Sequence, residues 1–585
     1  MRMKEEINRG GAKKKNTKRG TFIIKYYECP LFSFLLVLVL GVVARAGDFA
    51  DQVDLSPLGT MAVQHDQTMK TLDTFARQSV WQITGRETLD GHSSVYTLMD
   101  MSIHPDEYVT RNIIKIVYLP LREEFENLDS IDDAEKRRIV KEGTVSLALL
   151  DRPESQALLR QVQASSVSKS KAINQVFGAM NTMEEICMAE RGSIPAAIVP
   201  PAPGGGDGLW HRPVEMIGEV PDLVNLLKQM GETPRPPPEG YDDKVLELER
   251  LFAAMGQMST AWDSRDAATV NQAAATIAEL AESINPAAYP SRAKRVVEVE
   301  YNRLTRLTIP GAIFYFAAFV LFLMSAQAGL PKLRGWALTF MVIGLAIHST
   351  GIAIRWWLVG GIFPPIKNEF ESVMWSAWFG AVVGLALELR RRGTFGRGFF
   401  GAAASFVGML SLVAIFAAPY VTNRQIGGEI GQVQGILMSY WLYIHVTMVT
   451  ASYSMIGMGF LLSTWWLGRY YFGGGRAAGV GTGTFLGTLD TCNLVVLQLA
   501  FWMLGAGIIL GAIWADESWG RPWGWDPKET FALVTWMVYL IAVHVRVATV
   551  DKAWWTAVLG FAGFWVMLFN WIGVNFLLVG LHSYA

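Results

Sequence analysis

The sequence predicts an all-α polytopic membrane protein, in which about eight C-terminal transmembrane helices follow an exported, mainly helical N-terminal region. Of the 585 residues, 51% are hydrophobic and only 18% are charged. The charged residues are concentrated before about residue 300, and the chain after about residue 305 is overwhelmingly apolar. This apolar half divides into segments of about 20 residues or more, the length that crosses a bilayer as a helix.

The predicted spanning segments are separated by short polar or basic stretches. They cover residues 307–327, 334–358, 371–389, 397–418, 436–465, 488–512, 530–548 and 554–580. Lysine and arginine follow the first, third, fifth and seventh segments. Because cytoplasmic loops carry the excess of basic residues, the other loops and the C-terminal tail are predicted to face outward.

The N-terminus has the pattern of an export signal. Residues 2–25 are strongly basic, residues 31–43 are apolar, and Ala44-Arg-Ala46 follows. A basic stretch, a short apolar core and small residues before the cleavage point are typical of a secretory signal. Residues 1–46 are therefore predicted to be a signal peptide or a retained signal anchor, and residues 47–300 an exported region.

Apolar residues recur at helical spacing in the exported region. The predicted helices cover residues 71–86, 133–150, 156–180, 241–258 and 267–284. Residues 198–208 and 233–240 are rich in proline and glycine and are predicted to be loops or linkers. The histidines of this region lack ligand spacing and are interpreted as ordinary surface or core residues; they are His65, His92, His104 and His211.

Residues 514–530 are the most informative stretch of the chain. Four tryptophans lie within 12 residues of it, between two apolar segments: Trp514, Trp519, Trp523 and Trp525. A run so rich in indole, glycine and proline is poor helix material, so it predicts an aromatic loop at a membrane surface. Its flat apolar faces beside polar backbone suit a large planar ligand.

Two structural alternatives stay open for this stretch. Tryptophan belts occur at membrane interfaces without any ligand. Asp526 is also a suitable helix N-cap, because Pro527 fits the first helical position and Glu529 completes a capping box.

Four histidines lie in or beside the apolar half. His445 and His582 are predicted at about the depth of the aromatic loop, and His348 and His544 lie within spanning segments. Ionisable residues inside a bilayer are costly and tend to be functional. The alternative for each is a neutral histidine that donates one hydrogen bond to a neighbouring carbonyl.

Together, the outer histidines and the tryptophans predict a haem site. Neutral imidazole is an ordinary axial ligand of haem iron, and burial favours the neutral form. His445 and His582 would bind the iron from opposite faces, and the tryptophans would stack on the porphyrin. Arg521 and Lys528 are candidate partners of the propionates. The three cysteines are far apart and form no Cys-x-x-Cys pair, which argues against a thiol–disulfide enzyme, a zinc site or covalent haem attachment to this chain.

The pattern Trp514-Ala, Trp519-Gly and Trp523-Gly-Trp-Asp-Pro-Lys-Glu-Thr530 resembles the signature of the WWD-domain haem-handling family. The resemblance covers about residues 305–585 and is strongest to the CcsA (ResC) type of cytochrome c biogenesis protein of System II. Other matching stretches are 439–446, 539–544, 573–575, 580–584 and 348–371.

This resemblance implies that haem b is carried to the outer face of the bacterial cytoplasmic (inner) membrane and presented there for covalent attachment to apocytochrome c. His445 and His582 would ligate haem iron at the WWD site, with Trp514, Trp519, Trp523, Trp525 and Asp526 around the cofactor. His544 would hold haem within the membrane, and His348 is a candidate second intramembrane ligand. No side chain is predicted to be catalytic.

The implied partners are a CcsB (ResB) membrane protein, an apocytochrome c with a Cys-x-x-Cys-His segment and a thiol reductant system. Together with the CcsB partner the chain would form a holocytochrome c synthase. Residues 47–300 show no CcsB-like set of spanning segments, so the partner is predicted to be a separate chain. The formal net charge of −1 gives no indication of nucleic-acid binding. The alternative function is a membrane b-type haem electron-transfer protein.

Overall fold

The computed structural model describes the chain from residue 49 to residue 580, apart from several short gaps. The described residues are 49–65, 67–163, 167–189, 191–204, 208–219, 240–304, 307–328, 330–360, 364–391, 398–421, 428, 439–474, 480–481, 483–578 and 580. The predicted signal at residues 1–46 and the predicted ligand His582 lie outside them. The predicted fold class is confirmed, because a mainly helical N-terminal region precedes eight long apolar helices.

Besides three 3₁₀-helices, the described part of the N-terminal region, residues 49–304, contains thirteen α-helices of very unequal length. They are α1 (Phe49–Gln52), α2 (Ser56–Gly59), α3 (Leu72–Thr84), α4 (Ser94–Ile103), α5 (Pro105–Thr110), α6 (Leu119–Glu124), α7 (Asp133–Glu142), α8 (Leu147–Leu150), α9 (Pro153–Gln163), α10 (Val167–Cys187), α11 (Val245–Asp263), α12 (Ala267–Ile284) and α13 (Arg292–Arg303). The predictions at 71–86, 241–258 and 267–284 correspond to α3, α11 and α12.

Two predicted helices are interrupted in the structure. The helix predicted at 133–150 ends at Gly143, whose φ of 65° closes α7 in the left-handed conformation that glycine tolerates best. The strand β4 (Thr144–Val145) follows it before α8 begins. The helix predicted at 156–180 is likewise two helices, α9 and α10.

Two small antiparallel sheets were not predicted from the sequence. One pairs β1 (Ala62–His65) with β2 (Thr68–Thr71), and the other pairs β3 (Ile114–Lys115) with β4. Strands of two to four residues are too short to show a period in the sequence. The helices packed around them hold them in place. For example, Thr71 is both the last residue of β2 and the N-cap of α3.

His104 and Cys187, two residues of this region that could carry chemistry, have structural surroundings. His104 lies between two carboxylates, with Nδ1 3.0 Å from Asp100 and Nε2 3.0 Å from Asp263. Burial raises the pKa of the Cys187 thiol to about 11, so this thiol is protonated and a poor nucleophile at neutral pH. Both observations fit structural roles for these residues.

Helix α13 joins the N-terminal region to the apolar half. Glu298 accepts hydrogen bonds from the backbone N–H of Thr71 at 2.8 Å and from the Thr74 hydroxyl at 2.5 Å, so α13 is fixed to the start of α3. At the other end of α13, the buried Tyr301 packs against Leu358. The N-terminal region therefore rests directly on the second apolar helix.

The apolar half is a bundle of eight helices that are long and apolar enough to cross a membrane. They are α14 (Thr308–Ala328), α15 (Pro331–Val359), α16 (Glu369–Arg390), α17 (Phe399–Val421), α18 (Tyr440–Phe472), α19 (Phe485–Trp519), α20 (Pro527–Ala548) and α21 (Lys552–Leu568), which a π-helical turn, Phe569–Gly573, and α22 (Val574–Leu577) continue. The eight predicted spans are confirmed, and the chain is a multi-pass membrane protein.

A buried ion pair joins three helices at one end of the bundle, the end opposite the aromatic loop. Helices that cross in alternation place the starts of α16, α18 and α20 on one side, which we call the loop side because it carries the aromatic loop. On the opposite side the fully buried Glu388 accepts a hydrogen bond from Arg334 at 2.8 Å and another from Gly398 N–H at 2.8 Å. A carboxylate satisfied in this way can be buried at a helix end without a large penalty.

The aromatic loop is shorter than predicted. Helix α19 continues through Trp514 and ends at Trp519, because the six residues from Trp514 to Trp519 contain neither glycine nor proline. Gly520, with a φ of 69°, then terminates the helix. The loop consists only of residues 520–526, and α20 begins at Pro527. The predicted capping of α20 by Asp526 is confirmed.

Candidate functional site

His445 lies in the first turns of α18 with its ring held against α19. Its Nδ1 lies 2.8 Å from the carbonyl oxygen of Gly507, so this nitrogen carries the proton and donates. The neutral ring therefore has its lone pair on Nε2, the form in which histidine binds a metal. A backbone carbonyl is also a fixed partner, because it cannot turn away as a side chain can.

Two glycines one turn apart on α19 make room for this contact. A Cβ at Gly507 would lie 2.7 Å from the Val449 side chain. A Cβ at Gly511 would lie 2.6 Å from Cε1 and 2.8 Å from Nδ1 of His445. Small residues that let two helices approach closely are frequent at contacts between membrane helices. The sequence therefore specifies the position of His445 partly through the helix that faces it.

We expect Gly511→Ala to displace the His445 ring without unfolding the chain. Alanine favours a helix over glycine by about 1 kcal/mol, so the added methyl group acts through its clash with the ring. For the haem site predicted from the sequence, the expected result is a weaker and shifted haem absorption spectrum of the purified protein. Gly468→Ala is the matched control, because nothing lies within 4 Å of a Cβ at that helical position. Equal spectra for the two variants would contradict the prediction.

Trp514, which is only 2% exposed, and the half-buried Trp519 continue the row of rings from His445 along the last turns of α19. The ring of Trp514 is parallel to that of His445, with 4° between the planes and 6.3 Å between the centroids. Trp519 packs edge-on against Trp514 at 4.7 Å. Helices α18 and α19 are also joined at this end by a hydrogen bond of 3.0 Å from the Ser439 hydroxyl to Glu517. The histidine and the two indoles thus form one continuous wall.

Trp523 and Trp525 lie in the loop, with their rings perpendicular and 5.8 Å apart. Trp525 has a φ of 56°, a left-handed conformation that costs a residue other than glycine about 1–2 kcal/mol. Its indole is nevertheless 71% exposed, so burial of the ring does not offset this strain. Strained residues cluster where a ligand or a partner binds, and the exposed indole is the part of the loop open to such a contact.

One glutamate, Glu529, fixes the backbone of the loop through two hydrogen bonds. Oε2 of Glu529 accepts hydrogen bonds from the backbone N–H of Gly524 at 2.8 Å and of Asp526 at 3.2 Å. Asp526, only 6% exposed, accepts from the backbone N–H of Lys528 at 3.0 Å. This capping box fixes the loop at two points, so the tryptophans are presented on a rigid support.

The two candidate propionate partners differ in their surroundings. Lys528 has its Nζ 4.0 Å from a carboxylate oxygen of Glu369, at the start of α16. Arg521 is exposed, and its guanidinium lies against the backbone of Gly524, where a Cβ would come within 2.8 Å of Cζ. Within the described residues no carboxylate forms an ion pair with Arg521. Arg521 is therefore the better placed of the two to meet an anionic ligand.

His544 and His348 occupy opposite environments. His544 is exposed on the outward face of α20, and its Nδ1 lies 2.8 Å from the carbonyl oxygen of Leu540, so its Nε2 also carries the lone pair. His348 is 2% exposed inside the bundle, with Nδ1 3.4 Å from the Tyr315 hydroxyl. Its Nε2 makes no hydrogen bond within the described residues. The two histidines predicted within the membrane therefore differ in burial. His544 is exposed on the surface of the bundle, and His348 is enclosed within it.

The sequence analysis missed the residues that join the loop to the rest of the bundle. Glu369 accepts a hydrogen bond from Trp571 Nε1 at 2.9 Å and lies beside Lys528. Trp571 belongs to the π-helical turn of the last span, a feature that is frequent at functional sites. The only sequence signal for this junction was the presence of Glu369 inside the matching stretch 348–371.

Comparison with known families matches residues 366–582, which include His445, His544 and the aromatic loop, to the cytochrome c assembly protein family. The cytochrome c biogenesis protein CcsA of Prochlorococcus marinus (strain NATL2A) is 30% identical to this chain over 305 residues. These residues are 46% of this chain and 93% of that relative. The chain belongs to the cytochrome c assembly protein family.

Two other relatives show how much of each relative's length this chain covers. CcsA of Porphyra purpurea is 30% identical over 296 residues, 44% of this chain and 88% of the relative. NrfI of Wolinella succinogenes is 30% identical over 309 residues, which are 51% of this chain but only 32% of NrfI. The chain thus spans about a third of NrfI. The resemblance predicted from the WWD signature is confirmed at the level of the family.

Proposed function

We propose that this chain carries haem b to the outer face of the cytoplasmic membrane and presents it there for covalent attachment to apocytochrome c. The observation that carries the proposal is the wall formed by His445, Trp514 and Trp519, in which a backbone carbonyl fixes the imidazole tautomer that binds iron. A membrane-interface belt of tryptophans needs no such histidine. The distribution of basic residues supports an outward orientation of the loop side.

The residues of the site would position haem rather than react with it. His445 would bind the iron through Nε2, with His582 as the second axial ligand. The tryptophans would hold the porphyrin plane, and Arg521 would face a propionate. Each substrate thiol adds its S–H across a haem vinyl group, so one C–S and one C–H bond form and no electrons are exchanged. The chain contributes orientation and a defined face of attack to this reaction.

His544 supports a partner at the opposite side of the membrane. His544 is exposed, and its helix α20 is the least buried of the eight spans that the structure describes. An exposed imidazole among lipid chains is costly unless something covers it. We propose that haem first binds between His544 and a ligand of a CcsB-like partner, with which the chain would act as a holocytochrome c synthase.

Cytochrome c maturation in cells that lack their own assembly proteins tests this function. We expect the chain, co-expressed with a CcsB-like partner, to convert a reporter apocytochrome c containing Cys-x-x-Cys-His into holocytochrome, detected by haem staining after denaturation. His544→Ala is expected to abolish the product and to lower the haem content of the purified chain. Ile313→Ala, at a 60% exposed position of α14, is the control and is expected to mature the reporter normally.

Three results would count against the proposal. Wild-type chain that yields no holocytochrome with the partner present, although it folds and reaches the membrane, would remove the function itself. Normal maturation by His544→Ala would remove the intramembrane step. Haem that stays bound and cycles between redox states without reaching the reporter would favour the alternative, a b-type electron-transfer protein.

A further inference from the structure

The first turn of α16 is fixed on both sides of Glu369. Asn368 is the N-cap of this helix and accepts a hydrogen bond from the backbone N–H of Glu371 at 2.9 Å. The Glu371 carboxylate accepts another from the backbone N–H of Lys367 at 2.6 Å. The backbone of Glu369 therefore lies inside a short hydrogen-bonded segment, residues 367–371, and its side chain starts from a fixed position.

The side chain of Glu369 joins this segment to the base of the aromatic loop. One carboxylate oxygen, Oε2, accepts a hydrogen bond from Trp571 Nε1 at 2.9 Å, and the other lies 4.0 Å from Lys528 Nζ. Lys528 is the second residue of α20, which begins directly after the loop. Trp571 also packs on Tyr453 of α18, with 4.9 Å between the ring centroids. Glu369 thus connects α16 with both α20 and the last span.

The N-terminal region reaches the same segment from the other side. Tyr301 of α13 is 2% exposed and packs on α15, and its hydroxyl lies beside the Arg355 guanidinium. Arg355 in turn donates to Glu371 at 2.6 Å. Helix α13 is held in the N-terminal region partly by Asn302, which donates to the Thr74 hydroxyl at 2.8 Å. A continuous series of side-chain contacts therefore runs from α3 to the first turn of α16.

We propose that the N-terminal region positions the aromatic loop, through Tyr301 and Arg355 to the first turn of α16 and through Glu369 from there to the start of α20. Glu369 is then a positioning residue, which acts on the loop through Trp571 and Lys528. Closely packed interiors transmit displacements, because they contain few voids that could absorb them. The proposal goes beyond haem presentation, since it gives a role to a region that precedes the family match at residues 366–582.

Hydrogen exchange measures this positioning directly. In the full chain in detergent, the amide N–H groups of Gly524 and Asp526 exchange when their hydrogen bonds to Glu529 open. The exchange rate of the loop peptide, residues 520–526, therefore reports how firmly the loop is held. It is measured in the same way with and without haem, so failure of the proposed function would not change the outcome.

Two variants test the two ends of the series of contacts. Trp571→Phe removes the donor to Glu369 and keeps a ring against Tyr453. Tyr301→Phe removes the hydroxyl beside Arg355 and keeps a ring on α15. Trp571→Phe is expected to raise the exchange rate of the loop peptide by about tenfold, because it leaves a half-buried acceptor without its donor. Tyr301→Phe is expected to raise the rate by a smaller factor, since it lies further from the loop.

Two substitutions of Glu369 separate the hydrogen bond from the charge. Glu369→Ala is expected to match Trp571→Phe, because both remove the same hydrogen bond. Glu369→Gln is expected to stay close to wild type, because glutamine still accepts from Trp571. Loss of the ion pair with Lys528 changes little, since a partly exposed pair at 4.0 Å is weak.

Matched substitutions elsewhere in the chain are the controls. Trp554→Phe removes one indole hydrogen bond, to the Tyr471 hydroxyl at 2.8 Å, at the opposite end of the same span. Tyr241→Phe removes the hydrogen bond of another buried tyrosine of the N-terminal region, to the Pro200 carbonyl oxygen at 2.6 Å. Both controls are expected to show wild-type exchange of the loop peptide.

Either of two results would overturn the proposal. If Trp571→Phe exchanges like Trp554→Phe, Glu369 does not position the loop. If Tyr301→Phe exchanges like Tyr241→Phe, the N-terminal region does not act on the loop through α13. If Trp571→Phe fails to accumulate, the difference between Glu369→Ala and Glu369→Gln decides the first question.

Discussion

His445→Ala is expected to remove most of the haem that purifies with the chain. The substitution deletes the proposed axial ligand and leaves a cavity beside Trp514 and Gly511. Loss of a hydrogen-bond partner behind a metal ligand costs about 10–100-fold in affinity, so loss of the ligand itself is expected to cost at least that much. The haem content of wild type and variant, measured as the pyridine complex per mole of protein, checks this expectation.

The same variant also tests whether the His445 ring occupies the position of the ligand. Because the cavity left by the ring opens towards the Gly507 carbonyl, free imidazole is expected to enter it and to restore the bis-histidine spectrum. His92→Ala, in the N-terminal region, is the control and is expected to leave haem content unchanged, since the His92 ring packs on Tyr96 and not in the apolar half. Full haem content in His445→Ala would place the ligand elsewhere and reduce the aromatic wall to an interfacial belt.

The architecture of the apolar half follows from composition. A segment of twenty apolar residues has few alternatives to a helix in a membrane, since every backbone N–H and C=O must be satisfied within it. The eight spans were therefore predictable, and their ends differ from the prediction mainly where a helix continues through polar residues, as in the last turns of α19 to Trp519. The loop was overestimated because its tryptophans were treated as one unit, whereas Gly520 divides them into a helical pair and a loop pair.

The candidate site was predictable only in its components. The tryptophans, His445 and the Asp526 cap can be read from residue types and short spacings. The contacts that orient them join residues far apart in the chain, such as His445 with Gly507 or Glu369 with Trp571, 202 positions away. No local pattern records these pairings, because they depend on which helices become neighbours. The short strands of the N-terminal region were missed for the same reason, since packing rather than propensity stabilises them.

The pair Arg355–Glu371 is where we expect the largest loss of stability. Both side chains are almost completely buried, at 1% and 2% exposure, and Arg355 Nε donates to Glu371 at 2.6 Å. Arg355 also donates to the carbonyl oxygen of Gly428 at 2.8 Å, and Glu371 accepts from the backbone N–H of Lys367 at 2.6 Å. The pair thus joins α15, the start of α16 and Gly428 on the loop side, close to the contact of Tyr301 with Leu358.

Removing one member would leave the other charge buried and unpaired. Loss of one partner from a buried ion pair costs about 3–5 kcal/mol, whereas replacing both with apolar residues of similar volume is often neutral. Glu371→Ala is therefore expected to lower the melting temperature in detergent strongly, and Arg355→Met with Glu371→Leu to recover much of the loss. Recovery is expected to be incomplete, because the bonds to Gly428 and Lys367 are lost as well. A double variant as unstable as the single one would show that these backbone bonds, and not charge pairing, hold the loop side together.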